Sequence, residues 1–431
     1  MTTKLVGIAT KAKKDRKLQF TSVAHLLTPE FLWETWQQMN RKGSSGIDEV
    51  TPREFERELW QHCQDLSARI LSGRYKAPPV RRVEIPKSPG KTRTLGVPTV
   101  SDRLVQRSVA RILEAIYEAD FLDFSYGFRP GRNPHQALGD LRQQVVTGKV
   151  NYVFETDIRA FFDRLDHAWL QRMLRLRVGD PRILHLIHGW LKTGALADGV
   201  LVRRDEGSPQ GGPISPILAN IYLHYVLDLW FEHRVQKLCR KPARMIRFAD
   251  DLVALFGSHQ DATLFRSAIA TRLNDFGLEM ALDKTRLLAF GRFAHDRADG
   301  RKVETFDFLG FTHVNGRDRK GRYSVLQLPT VKALRKFREA VKIYLRRSLH
   351  ISPHLHQRQL SAMLRGFYQY FNLPSARHKL FLMSCEVNKM WVKTLRRRSQ
   401  RHRLSWAYLL TRSWFRLPWL TSDSSQLRLQ L

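Results

Sequence analysis

Residues 247–256, RFADDLVALF, set two adjacent carboxylates, Asp250 and Asp251, between two apolar runs. The runs predict a β-hairpin with both aspartates at its tip. A carboxylate at the end of a buried strand needs a cation or a proton beside it. A second stretch, YVFETD, ends another apolar strand on Asp157. One sheet joining the two places Asp157 and Asp250 side by side, with Asp251 as a third acid. Three carboxylates without a thiol or imidazole partner suit a hard cation, Mg²⁺ or Mn²⁺. Two such ions lower the pKa of an attacking hydroxyl and neutralise a leaving phosphate. Paired aspartates alone are a weak signal. The order around them is a strong one: strand to acid, the glycine-rich SPQGG loop into a helix, the DD hairpin, then a glycine–lysine element.

The partner follows from charge. Lys plus Arg number 73 against 40 Asp plus Glu, a formal net charge of +33 over 431 residues. So large an excess points to a polyanion, nucleic acid before an anionic membrane. No apolar run approaches the length that spans a bilayer, so no membrane partner is expected. The basic start, MTTKLVGIATKAKKDRKLQF, lacks the apolar segment of a signal peptide and reads as an arm facing nucleic acid, unordered until RNA binds. Cys63, Cys239 and Cys385 lie too far apart for a disulfide framework or a zinc cluster. The histidines of HISPHLH (His350, His354, His356) read as a polar loop before a helix rather than as ligands.

Along the chain, residues 79–98 are two strand-like runs about KSPGK, a basic hairpin suited to covering a template or a triphosphate. Ser101 to Phe121 has helical spacing and leads into SYGFRPGRN, an irregular loop that offers Arg129 and Arg132. RAFFDRLDHAWLQRML turns helical after Asp157, and the run from about Ile214 is an apolar helix. VETFDFLGFTHV reads as a strand pair bent at a glycine. Beyond residue 330 the pattern is helical, with Val331, Leu334, Phe337, Val341 and Leu345 on one stripe. The cluster KTLRRRSQRHR, with Lys393, Arg396, Arg397, Arg398, Arg401 and Arg403, is a basic surface for a nucleic-acid backbone. At the site itself, Gln210 can reach a nucleotide and its template base, and Lys284 can stand near phosphates. Phe162 can pack under a sugar and crowd a 2′-hydroxyl, or else be a core aromatic.

GSSGIDEVT, EIPKSPGKTRTLGVP, the stretch ending SYGFRPGR, DIRAFFDRLDH, GSPQGGPISPILANIYLHYVLD, RFADD, GLEMALDKTRLLAF and FDFLGF follow one another over about residues 40 to 312. In that series the chain resembles the bacterial group II intron-encoded reverse transcriptases/maturases. The resemblance implies an α+β, right-hand polymerase: a basic N-terminal extension (1–40), fingers (41–150), a palm with a split β-α-β sheet (151–325), a helical thumb/maturase domain (326–405) and a short tail (406–431). It implies metal binding by Asp157, Asp250 and Asp251, with two Mg²⁺ ions, Mn²⁺ as a substitute. It carries nucleotide contacts to Lys87, Arg93, Phe162 and Gln210, supporting roles to Arg129 and Lys284, and a place near the primer end to Phe248. The implied partners are the intron RNA, an RNA template with a DNA primer, target DNA and dNTPs, in a bacterial cytoplasm; a homodimer is left open.

Two departures stand out. Phe248 occupies the place where tyrosine is usual, so the ring is kept and its hydroxyl lost. The stretch after Arg403 is short and has no cysteine, so no zinc-assisted nuclease is expected. Three other readings share the core: a stand-alone reverse transcriptase of phage defence or spacer acquisition, a catalytically silent splicing factor, and an RNA-copying RNA polymerase.

Overall fold

The computed structural model describes residues 3–88, 91–193, 195–197, 200–202, 211–297, 303–318, 320–399 and 404–418, with side chains left out at 86–88, 91, 93, 195–197, 200–202 and 295–297. The chain divides into two compact units, one of residues 1–144 and 149–287 and one of 145–148 and 288–431. The break at 287/288 falls within the stretch expected as palm. Among the described residues no helix is long and apolar enough to cross a membrane.

In the first unit, the strands Ala243–Phe248, Asp251–Phe256 and Tyr152–Thr156 lie in that order in one sheet. The last two run antiparallel, with Thr156 opposite Leu252. Leu252 to Phe256 are all buried, as a strand covered on both faces requires. The helix His259–Asn274 lays Phe265 against Phe154 and Phe256, at ring-centroid distances of 5.3 and 5.1 Å. A second sheet is built on the hairpin Val80–Ser88 and Lys91–Val97, which the proline–glycine turn predicted. The helix Val100–Tyr117 runs through the core, with Leu104, Val105, Val109, Leu113 and Ile116 buried. Its first turn carries Asp102, 1% exposed, which accepts from Tyr75 Oη, Trp190 Nε1 and Gln106 Nε2. Burial pushes this carboxyl up in pKa while the three donors pull it down.

The N-terminal arm includes a helix that packs on the first unit. Thr3–Lys14 is a helix that buries Leu5, Ile8 and Ala12. The carbonyls of Ala12, Asp15 and Leu18 accept from the guanidinium of Arg177 at 3.3, 3.0 and 2.9 Å. Arg177 is itself buried and paired with Asp120. Helical spacing of a few apolar residues in a basic segment was enough to dock it.

In the second unit, Phe306–Phe308, Phe311–Arg317 and Tyr323–Pro329 form an antiparallel sheet, the third strand being one the sequence reading did not mark. Helices Val331–Arg347, Pro353–Phe371 and Arg377–Arg396 follow. Only Val341 and Leu345 of the expected stripe are buried, and Val331 is 68% exposed. Of HISPHLH, His350 to Ser352 lie in the loop before the second helix, as expected, and Pro353 to His356 form its first turn. His356 is fully buried; its Nδ1 accepts from Trp391 Nε1 at 3.1 Å, which leaves Nε2 to donate to the Ser348 carbonyl at 2.8 Å.

Candidate active site

The acidic tip is set by register. Phe248 pairs with Asp251, so the hairpin closes through two residues, Ala249 and Asp250. Asp250 alone occupies the turn with Ala249, and Asp251 is the first residue of the returning strand. Ala249 takes φ 56°, a left-handed conformation that costs an L-residue about 1–2 kcal/mol. Two contacts hold it there. Its carbonyl accepts from Arg247 Nη1 at 2.9 Å. Gly127 lies so close to the backbone of Phe248 and Ala249 that a Cβ there would overlap both.

Arg247 is fully buried, and all five of its guanidinium hydrogens are used. Nε and Nη2 donate to the two oxygens of Asp228 at 2.7 and 2.6 Å. Nη2 also reaches Ser125 Oγ at 2.7 Å, and Nη1 reaches Asn220 Oδ1 at 3.2 Å. Asn220 in turn donates to the Gly127 carbonyl at 2.7 Å. Asp228, also fully buried, ends a π-helical turn, His224–Asp228. Nearby His224 stays neutral, since burial pushes its imidazole down to about 4. The sequence reading passed over Arg247, Asp228 and Asn220. The one available signal was an arginine inside an apolar strand, where a charge must find a buried partner.

Asp157 follows directly on the strand ending at Thr156, and so lies beside Asp251 across the sheet. The segment 279–281 pairs alongside it: Ala281 donates to the Asp157 carbonyl and Arg159 to the Glu279 carbonyl. That pairing brings Lys284 onto the Asp157 carboxylate, where Nζ meets Oδ2. The hydrogen bond to Asp157 raises the lysine's pKa, although burial opposes it. Asp251 is pushed up to about 6, first by loss of water around it and then by the charges of Asp250 and Asp157. Its side chain is nonetheless open at the surface, so water screens part of that push, and its direction is what matters here.

The donor set fits a hard cation: oxygens only, three mutually repelling carboxylates, and a buried Asp157 Oδ1 without a hydrogen-bond partner. Among the described residues no three acidic, histidine or cysteine side chains close around one point, and the ammonium of Lys284 supplies the positive charge at Asp157. Above the acids opens a cleft of about 990 Å³, lined among others by Thr92, Thr94, Phe128, Asp157, Phe162, Asp250 and Lys284. Of the adjacent phenylalanines, Phe161 is buried at 2% exposed and Phe162 is half-buried against the core, and both border the cleft.

The remaining sequence candidates divide. Arg129 is buried. Its guanidinium donates to Glu118 and to the carbonyls of Leu122 and Ser125, which holds the loop. Arg132 is half-buried, paired with Asp123 at 2.7 Å. Phe248 is half-buried beside the turn. The side chains of Lys87 and Arg93, and the whole of Gln210, Arg401 and Arg403, lie outside the described residues. In the second unit Lys393 and Arg397 are exposed. Arg396 is held by the Leu404 carbonyl, and Arg398 by the Ile351 carbonyl at 2.6 Å and by His356. Arg398 is therefore as much a packing residue as a charged one.

A sheet that delivers acids from two neighbouring strands to the floor of an open cleft is the palm of a right-hand nucleic-acid polymerase. The reverse transcriptase (RNA-dependent DNA polymerase) family profile matches residues 85–313, more than half of the chain. Protein YkfC of Escherichia coli (strain K12) is 33% identical over 361 residues, 76% of this chain and 92% of that protein. The group II intron-encoded protein LtrA of Lactococcus lactis subsp. cremoris is 38% identical over 213 residues, 48% of this chain but 35% of LtrA. Nuclear intron maturase 1, mitochondrial, of Arabidopsis thaliana is 35% identical over 95 residues, 22% of this chain and 13% of that one. The chain belongs to the reverse transcriptase family, and its similarity runs to proteins encoded by group II introns.

Proposed function

We propose that this reverse transcriptase extends a DNA primer on an RNA template by two-metal nucleotidyl transfer, and that it also binds a group II intron RNA as a splicing maturase and supports the intron's movement into target DNA. What supports the first part is the placement of Asp157 and Asp251 at adjacent strand ends, with Asp250 in the hairpin turn just before Asp251. These three would hold the divalent ions, Mg²⁺ or Mn²⁺, which supply an activated 3′-hydroxyl and a neutralised leaving pyrophosphate. The chain's own groups do the rest. Lys284 balances the charge of Asp157 until a nucleotide arrives, and then stands by its phosphates. The Phe162 ring narrows the cleft where a ribose 2′-hydroxyl would sit, which favours dNTPs. By the family resemblance, Lys87, Arg93 and Gln210 would complete the nucleotide's surroundings. The maturase part rests on the named relatives and on the chain's basic charge.

The test is primer extension on an RNA template with Mg²⁺ and dNTPs, beside Asp250→Asn. Extension by the wild type, lost in the variant with RNA affinity unchanged, is expected. Tight RNA binding without extension by the wild type would overturn the polymerase reading in favour of a silent splicing factor.

A further inference from the structure

Phe128 combines two features that proteins ordinarily avoid together. Its φ is 58°, in the left-handed region that disfavours bulky L-residues. Its side chain is 49% exposed, and it lines the cleft with Asp157, Asp250 and Phe162. Left-handed backbone by itself needs only glycine or asparagine. The same loop uses glycine for that purpose three residues on, at Gly131, φ 73°.

The residues around Phe128 over-determine its conformation. Tyr126 donates its backbone N–H to the Arg247 carbonyl at 2.8 Å. The Gly127 carbonyl is held by Asn220, and Gly127 itself sits against the Phe248–Ala249 backbone. On the other side Arg129 is anchored by Glu118 and two carbonyls. The loop is therefore fastened to the acidic turn before the phenylalanine, and to Glu118 and its own earlier carbonyls after it, and the phenylalanine borders the cleft. Strain preserved in this way marks a functional position more often than a packing one.

We infer that the Phe128 ring is a stacking platform for the nucleobase at the insertion position, a role separate from the sugar-reading one proposed for Phe162. The inference rests on the polymerase reading above. An aromatic face takes any base, so the contact is tolerant of sequence. It binds ground state and transition state alike, so its loss falls on KM and spares kcat.

The test uses the full chain with Phe128→Gly, Phe128→Leu and Phe128→Tyr. The glycine variant removes ring and backbone strain together, so its Tm is expected at or above the wild type. Its KM for each of the four dNTPs is expected to rise roughly 5- to 100-fold, with the primer–template Kd unchanged. Leucine, apolar but without a ring, should behave alike in KM, and tyrosine should stay near the wild type. A second readout needs no turnover: 2-aminopurine as the templating base should lose stacking-dependent quenching in the glycine and leucine variants. Folded variants with unchanged KM and unchanged quenching overturn the inference, as does a loss confined to primer–template affinity. Were the wild type not to extend primers at all, the polymerase reading would fall. The 2-aminopurine signal would then still decide whether Phe128 meets a base.

Discussion

The buried pair Arg247–Asp228 makes a demand that can be worked through. Arg247→Met removes a guanidinium whose five hydrogens are all used, and leaves a fully buried carboxylate with no cation. Removing one partner of such a pair costs about 3–5 kcal/mol. The first unit has about 280 residues. At roughly 2.1 cal/mol/K of unfolding entropy per residue, that loss lowers Tm by about 5–8 °C. Asp228→Leu should destabilise similarly, by stranding the arginine. The double variant Arg247→Met/Asp228→Leu, with neither charge left, should recover most of the loss, because apolar replacement of a whole buried pair is often neutral. Activity should not recover with it. The Ala249 carbonyl loses its donor, the left-handed turn loses a restraint, and Asp250 drifts from Asp157; primer extension should fall at least about tenfold, since misplacement by an ångström costs that much or more. The assays are scanning calorimetry on the four proteins, then single-turnover extension. A single variant within about 2 °C of the wild type, or a double variant with full activity, would refute the reasoning.

Three further outcomes are expected. Phe162→Val, with the 2′-hydroxyl no longer crowded, should raise rNTP incorporation relative to dNTP by about 10- to 200-fold, the scale set by a few methylenes in a pocket; an unchanged ratio in paired extension assays would remove the ring from sugar selection. Asp251 titrates higher in the fold, at about 6, than its ordinary 3.8, so in metal-free buffer the stability it contributes is present below about pH 4 and lost as pH rises through about 6. The Tm difference between the wild type and Asp251→Asn should therefore shift against the wild type over that window, and Mg²⁺ should oppose the shift; pH-independent spacing of the two curves would contradict it. This comparison isolates Asp251 from Asp120, which burial also pushes up to about 6. Arg177→Met should release the N-terminal helix, seen as rapid tryptic cleavage within the first twenty residues without RNA, whereas the wild type resists; equal resistance would mean that Leu5, Ile8 and Ala12 hold the helix alone.

What the residues determined by themselves was local and ordered. Alternation and turn chemistry placed the hairpin at residues 79–98 and the strand ending at Asp157, and the apolar runs around Asp250 and Asp251 placed the acidic turn, because a strand's exit and a turn's residues are written within a few positions. The order of those pieces carried the family, since no packing is needed to read a series. Only the tertiary structure decided which charged groups are offered to a ligand. Arg129 and Arg132 share one short loop and read alike, yet the first is buried on Glu118 and the second stays half open. Arg247 read as one more basic residue and proved to be the bolt of the acidic turn, because its partners lie on a helix, a π-helical turn and a loop elsewhere in the sequence. Phe161 and Phe162 are adjacent and chemically identical, yet the first is buried and the second half-buried. Exposure belongs to the assembled surface, and a side chain's neighbours in space are the one property that its neighbours in sequence do not encode.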